Sequence, residues 1–189
     1  LPAWLDLPND FVNRKVVRID PGYAFGTGNH PTTRLCLEAL ERNSLSGKVI
    51  ADLGCGSGIL GLAALSLGAK KVYAVDTDSL AVDSTRNNFL LNDLNKDSFF
   101  VSQGSISQLQ YKLNKGQVDL LICNILLPVI KKLVVGFDSI VQSGGNALLS
   151  GILLDQISEL SSFLKTMGWQ VNNSWEKSNW ALLEIGKAS

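Results

Sequence analysis

Residues 52–58 read Asp-Leu-Gly-Cys-Gly-Ser-Gly, and this stretch is the most informative about the fold. It follows an apolar run and precedes a helical pattern that begins near Ile59. Alternating glycines let a backbone turn sharply and approach a bound molecule closely, and the helix that follows offers unpaired N–H groups. A purely structural turn between a strand and a helix needs one glycine rather than three. The excess of glycine therefore favours a ligand-binding turn.

Short apolar runs alternate with longer helical patterns from Lys48 onward, which is the arrangement of strand–helix units in a mostly parallel sheet. The predicted strands cover residues 49–53, 71–75, 99–103, 118–123, 147–150, 170–175 and 181–185. The predicted helices cover residues 31–42, 59–67, 79–92, 127–141 and 155–166. Only a few residues separate the last two strands, so we expect them to form an antiparallel hairpin. The sequence thus predicts an α/β fold with seven strands, five of them parallel.

The composition narrows the class of protein. A chain of 189 residues with 46% hydrophobic and 18% charged residues fits one packed domain. Its 17 basic residues balance 17 acidic ones, so no net field draws it to nucleic acid or anionic lipid, and we expect neither to be a direct partner. Three cysteines at irregular spacing and one histidine indicate neither disulfides nor a metal site. No apolar run approaches the ~20 residues of a membrane span, so we expect a soluble protein, and the lack of a disulfide framework favours the reducing cytoplasm.

Residues 56–61 also satisfy the GxGxxG pattern of dinucleotide-binding proteins. Asp52 argues against that reading, because its carboxylate would repel the pyrophosphate that such a turn must bind. S-adenosylmethionine has no phosphate and carries a sulfonium and an ammonium group, which an acidic residue favours. We therefore expect S-adenosylmethionine as the cofactor, with a nicotinamide-dependent oxidoreductase as the disfavoured alternative.

Polar residues close two of the predicted strands. Asp76 lies 22 residues after Gly54 (76 − 54 = 22), close to the ~20-residue spacing at which a carboxylate meets ribose hydroxyls. We expect Asp76 to bind the ribose and Asp78 to cap the next helix, with the exchanged roles left open. Asn124 follows the fourth strand. It can hold an incoming amine, hold the amino-acid end of the cofactor, or close a local turn.

The segment before the first helix carries the lone histidine, His30, which taken alone is more often structural than catalytic. Thr32 and Thr33 fall in the first helical turn, where nearby backbone usually satisfies a hydroxyl. Cys55 has no adjacent base, and no catalytic triad or carboxylate pair stands out. The pattern therefore assigns no catalytic residue.

Three stretches together resemble one family: residues 20–33 (Asp-Pro-Gly-Tyr-Ala-Phe-Gly-Thr-Gly-Asn-His-Pro-Thr-Thr), residues 52–58, and residues 124–126 (Asn-Ile-Leu). They closely resemble the PrmA-type methyltransferases, which act on large-subunit ribosomal protein eleven. The resemblance implies a Rossmann-like class I methyltransferase fold, S-adenosylmethionine as the donor, and N-methylation of lysine and N-terminal amines of that ribosomal protein. With the glycine-rich turn, it implies cofactor contacts at Thr33, Gly54, Gly56, Asp76 and Asn124.

We expect residues 1–189 to form a single catalytic domain, in which residues 1–30 supply an N-terminal segment and a loop that covers the cofactor. The resemblance also implies an upstream domain that recognises the ribosomal protein, and we expect it to be absent from this chain. Two alternatives stay open. One is a methyltransferase for an exocyclic amine of ribosomal RNA, which the lack of an aromatic residue after Asn124 disfavours. The other is a non-catalytic module that binds S-adenosylmethionine.

Overall fold

A twisted sheet organises the chain, for which a computed structural model describes residues 1–7, 14–20 and 26–188. Within these residues its strands are β1 Val49–Leu53, β2 Lys71–Asp76, β3 Phe99–Gln103, β4 Val118–Asn124, β5 Val141–Leu153, β6 Trp169–Lys177 and β7 Trp180–Lys187. Their order across the sheet is β3-β2-β1-β4-β5-β7-β6. Strands β1 to β5 are parallel, and β7 pairs antiparallel with both β5 and β6. The predicted α/β sheet with a terminal hairpin is confirmed.

Helices cover both faces of the sheet. The described α-helices are α1 Pro31–Arg42, α2 Ile59–Ser66, α3 Ser79–Leu90, α4 Ile106–Leu113, α5 Leu127–Leu133 and α6 Ile157–Thr166. On one face, α1 and α2 bury Leu40 and Leu62 against Ile50 of β1. On the other, the helices that follow β3, β4 and β5 pack against residues such as Leu121 and Leu149. Because helices cover both faces, the central strand β4 is buried on both sides, which explains why its sequence is a nearly continuous apolar run.

The prediction of one helix over residues 127–141 is wrong. Helix α5 ends at Leu133, a 3-10 segment covers Val134–Ser139, and β5 begins at Val141. A regular helix loses support here because two β-branched valines are followed by Gly136. The tight segment also lets Gly136 lie against α4, where an added Cβ would come within 2.8 Å of Ile106 Cγ2.

Two further features differ from the prediction. Gly144 and Gly145, which we expect to follow a helix, lie inside β5, at an irregularity of its pairing with β4 between Val141 and Asn146. Helix α4 is not predicted at all. It has eight residues and buries only Ile106 and Leu109, so its apolar pattern is too short to be recognised.

The topology brings one residue from the end of each parallel strand to the same edge of the sheet. In spatial order these are Gly104 after β3, Asp76 at the end of β2, Gly54 after β1, Asn124 at the end of β4, and Gly151 near the end of β5. The order of connection reverses between β1 and β4. Ligands of open α/β sheets bind in the crevice at such a reversal.

Candidate functional site

A cavity of about 650 Å³ opens at this edge of the sheet. Small-molecule sites usually enclose roughly 300–1,000 Å³, so the cavity can hold a molecule the size of a nucleoside derivative. Gly54, Gly56, Asp76 and Asn124 line it, which brings four of the five predicted cofactor residues together. Most of the remaining wall is apolar and comes from Leu53 and from the segment around α5.

Two backbone N–H groups orient the carboxylate of Asp76 at the cavity wall. Gly56 N donates to Asp76 Oδ2 over 3.0 Å, and Asp78 N donates to Oδ1 over 3.0 Å. Each carboxylate oxygen keeps a further lone pair that can accept a hydroxyl. Asp78 itself accepts from Leu80 N over 2.9 Å and caps α3, so the predicted cap is confirmed.

Two side chains of α3 form hydrogen bonds to the backbone of the glycine-rich turn. The Thr85 hydroxyl donates to the Gly56 carbonyl over 2.8 Å, and the Asn88 amide donates to the Ser57 carbonyl over 2.9 Å. Both side chains are buried. Sequence reasoning missed these residues, although two polar residues three apart on the buried face of a helix are the signal that points to them.

Asn124 lines the cavity and has an unusual side-chain oxygen. Its Oδ1 atom is buried and has no hydrogen-bond partner among the described residues. A buried acceptor without a partner is costly, so such an atom marks a place where a ligand donor belongs. The following residue is fixed, because Ile125 N donates to the Ser150 carbonyl of β5 over 3.1 Å.

The two threonines of α1 differ in position. Both are 1% exposed, but Thr32 lines the cavity, whereas Thr33, the predicted contact, does not belong to the wall. Within the part of the chain that the structure describes, Thr33 Oγ1 has no hydrogen-bond partner. The expectation that local backbone satisfies this hydroxyl is therefore wrong for Thr33.

Asp52 does not face the cavity, so the direct contact on which we argued the choice of cofactor is wrong. Its side chain is 1% exposed and points toward α2, where Gly61 N donates to Oδ2 over 3.0 Å. Burial raises the pKa of this carboxyl to about 7, the negative charge of Asp76 adds to the rise, and the Gly61 bond opposes it. Asp52 supports the first turn of α2 from inside the core.

His30 and Trp180 close one side of the cavity. His30 caps α1, with its Nδ1 atom 2.7 Å from the Thr32 hydroxyl oxygen. The rings of His30 and Trp180 meet edge to face, with centroids 5.0 Å apart. Trp180 begins β7, so the hairpin contributes to the site. Sequence reasoning missed this residue, and no local pattern connects it to His30.

Several further expectations concern the first motif, metal sites, the cysteines and membrane spans. Residues 21–25 of the first motif, including Gly22 and Phe25 of the expected covering loop, lie outside the described residues. The described residues contain no cluster of three or more metal-ligating side chains. Burial raises the pKa of the Cys55 thiol, and the charge of Asp52 adds to the effect, so Cys55 is a poor nucleophile. In the described part, no helix combines the length and apolarity needed to cross a membrane.

Comparison with known proteins gives evidence that is independent of the geometry of the site. The family model "Ribosomal protein L11 methyltransferase (PrmA)" matches residues 1–188. The chain belongs to this family. The resemblance noted from the three sequence stretches is confirmed, and with it the class I methyltransferase fold.

Relatives within the L11 methyltransferase family align along nearly the whole chain. The ribosomal protein L11 methyltransferase of Prochlorococcus marinus (strain MIT 9303) is 54% identical over 187 residues, covering 99% of this chain and 62% of that protein. The one from Parasynechococcus marenigrum (strain WH8102) is 55% identical, covering 98% and 64%. A crystal structure of ribosomal protein L11 methylase from Lactobacillus delbrueckii subsp. bulgaricus superposes with a TM-score of 0.88 at 30% identity, covering 100% and 94%. The chain therefore spans less than two thirds of the length of the two curated relatives from Prochlorococcus and Parasynechococcus.

Proposed function

We propose that this chain is the catalytic unit of an S-adenosylmethionine-dependent methyltransferase that N-methylates lysine and N-terminal amines of ribosomal protein L11. Family membership supports the reaction and the substrate. The observation that carries the proposal is Asn124 Oδ1, a buried acceptor without a partner in the described structure, beside a cavity of suitable size. An acceptor in that place calls for an N–H or O–H donor from a bound molecule.

The residues around the cavity fit S-adenosylmethionine. Asp76, already oriented by two backbone N–H groups, offers its free lone pairs to a ribose diol. The backbone of Gly54 and Gly56 permits close approach, and Asn124 offers its oxygen to an amine or ammonium. Thr33 joins the proposed set through its buried hydroxyl without a partner in the described chain, together with its neighbour Thr32 at the wall. When bound, S-adenosylmethionine supplies an electrophilic methyl group on a positively charged sulfur.

The protein's task toward the substrate is to accept an amine in its neutral form. Near pH 7.5 only about one lysine in a thousand is neutral, because its ordinary pKa is about 10.4. The apolar side chains of Leu126 and Val129 at the cavity disfavour an ammonium ion and so lower the cost of losing the proton. Asn124 can then orient the nitrogen by accepting one of its N–H groups. His30 and Asp76 are the titratable side chains at the described wall, and we assign neither a catalytic role.

Mass spectrometry tests the proposal. Purified L11 and, separately, ribosomal RNA are incubated with the protein and isotope-labelled S-adenosylmethionine. We expect labelled amines on L11, and we expect Asn124→Ala to reduce labelling at least tenfold. The matched control is Asn87→Ala, an exposed asparagine on the outer side of α3, which should behave as wild type. Label in RNA instead of L11 would favour the RNA methyltransferase. Binding of the cofactor without any transfer would favour the non-catalytic module.

Two parts of the proposal go beyond the described residues. Because the curated relatives are longer than this chain, we propose that part of their additional length recognises L11. The value of kcat/KM on L11 should then be lower for the 189-residue chain than for a full-length relative, and equal values would contradict the proposal. We also propose a cytoplasmic location, because that is where the proposed ribosomal substrate is available.

A further inference from the structure

The backbone of Ile125 lies so close to Gly151 that there is no room for a Cβ atom at position 151. A Cβ atom added to Gly151 would lie 2.5 Å from the Ile125 carbonyl oxygen, 2.7 Å from its carbonyl carbon and 3.0 Å from its nitrogen. All three are backbone atoms, so no side-chain rotation can relieve the contact. Gly151 also has φ +84°, a conformation that side chains other than glycine's rarely adopt. Any larger residue at position 151 must displace the Ile125 backbone.

Gly54 of the glycine-rich turn faces the same residue from the other side. A Cβ atom added to Gly54 would lie 2.7 Å from Ile125 Cγ2. Ile125 is therefore held between two glycines, one after β1 and one in β5, which are the strands on either side of β4. Both glycines and Ile125 itself line the cavity.

An irregularity in β5 creates this arrangement. The pairing of β5 with β7 shifts by one residue between Ser150 and Ile152, which leaves Gly151 as the bulged residue. Just before the bulge, the Ser150 carbonyl accepts the hydrogen bond from Ile125 N, and Ser150 lies opposite Asn124 in the parallel register. The bulge thus fixes the segment whose preceding side chain carries the unpartnered Oδ1 atom.

We propose that Gly151 is a positioning residue that sets the location of the Asn124 amide at the reactive end of the cavity. The inference rests on the proposed function in assigning that end to methyl transfer. Gly151 acts through the Ile125 backbone, while the ribose end of the cavity is built separately from Gly56, Asp76 and α3. Substitution at Gly151 should therefore impair transfer much more than binding of the cofactor product.

The size of the effect follows from the contact distances. The 2.5 Å contact must lengthen by at least about 0.5 Å, because Cβ atoms are essentially never found closer than 3.0 Å to such a neighbour. A misplacement approaching 1 Å at a reacting centre costs up to about 10²-fold in rate. We expect Gly151→Ala to lower kcat about 10- to 100-fold.

The test compares Gly151→Ala with Gly144→Ala in the same protein. Gly144 lies in the same strand with φ +77°, and a Cβ atom there would meet nothing within 4 Å. The control therefore has the same backbone strain without the contact. Three quantities are measured: kcat on L11, the Kd for S-adenosylhomocysteine by calorimetry, and the NMR signals of the Asn124 side-chain amide. We expect Gly151→Ala to lose kcat, to raise its Kd by a much smaller factor than that by which kcat falls, and to shift the Asn124 signals, whereas Gly144→Ala changes none of them.

Any other result would refute either the positioning role of Gly151 or the proposed function. Similar kcat values for the two alanine variants, or Asn124 signals that do not move in Gly151→Ala, would refute the positioning role. A Kd that worsens as much as kcat would refute it as well. If the wild-type protein transfers no methyl group to L11, the proposed function fails, and the NMR signals still decide the role of Gly151. If Gly151→Ala does not fold, the double variant Ile125→Ala/Gly151→Ala gives the segment room to move toward Gly54. It should fold and retain the loss of kcat, and wild-type turnover in it would also refute the role.

Discussion

Replacing Asp52 by asparagine should stabilise the protein at alkaline pH and much less at acidic pH. The folded protein holds the Asp52 proton with a pKa of about 7, against 3.8 for the ordinary carboxyl, because burial disfavours the charge. Between these values the folded state binds more protons than the unfolded state, so the free energy of unfolding falls as pH rises. From pH 5 to pH 8 the two pKa values give a loss of about 2–3 kcal/mol. The asparagine variant lacks this loss, and its side-chain amide oxygen can still accept from Gly61 N.

Urea denaturation followed by circular dichroism measures this difference directly. The stability of Asp52→Asn relative to wild type should increase by about 2–3 kcal/mol between pH 5 and pH 8. Asp83→Asn provides the control, since Asp83 is an exposed carboxylate paired with Arg86 on the surface of α3, and its effect should be small at both pH values. A stability difference for Asp52→Asn that is the same at pH 5 and pH 8 would refute the assignment of a buried carboxyl that is protonated when folded.

Asp76→Ala should weaken binding of S-adenosylhomocysteine by about 1–3 kcal/mol in calorimetry, because it removes charge-assisted bonds to the proposed diol. Asp78→Ala removes only the cap of α3, so an equal loss there would contradict the ribose assignment. Asn88→Ala should lower the free energy of unfolding by about 1–3 kcal/mol, because the amide bonds the Ser57 carbonyl and both backbone groups of Asp20. Its urea midpoint is compared with that of Asn87→Ala, and matching midpoints would show that these bonds contribute little.

The parts of the fold that depend on local pattern could be predicted from the sequence. The cap at Asp78 follows from a short-range preference of aspartate before a helix, and the central strand β4 follows from its apolar run. The glycine-rich turn and Asp76 could be placed at one edge because parallel strands end together. These features need only the order of residues and the general geometry of helices and parallel strands.

The rest depends on contacts between distant elements. Successive side chains of a strand point to opposite faces of the sheet. Only the packing of α2 determines that the Asp52 carboxylate accepts from Gly61 N instead of facing the cavity. Thr85 and Asn88 act on the turn because α3 packs against it, and although their spacing marks two polar residues on one helix face, it does not say which backbone groups they bind. Trp180 meets His30 only after the whole sheet has formed. The strand order therefore places some residues of the site, and contacts between distant elements place the others.

Strand β7 lies between β5 and β6, although it is the last of the described strands to be synthesised. When synthesis has reached Asn179, β6 is complete, but β7, the strand that joins β6 to the sheet, has not yet been made. Until residues 180–187 leave the exit tunnel, β5 is an open edge and α1 lacks part of its packing surface, since α1 also contacts β7. A premature stop before Trp180 would consequently remove an internal strand and one wall of the cavity. Quality control by proteases, which recognise exposed edges and apolar surface, should treat such a product as unfolded.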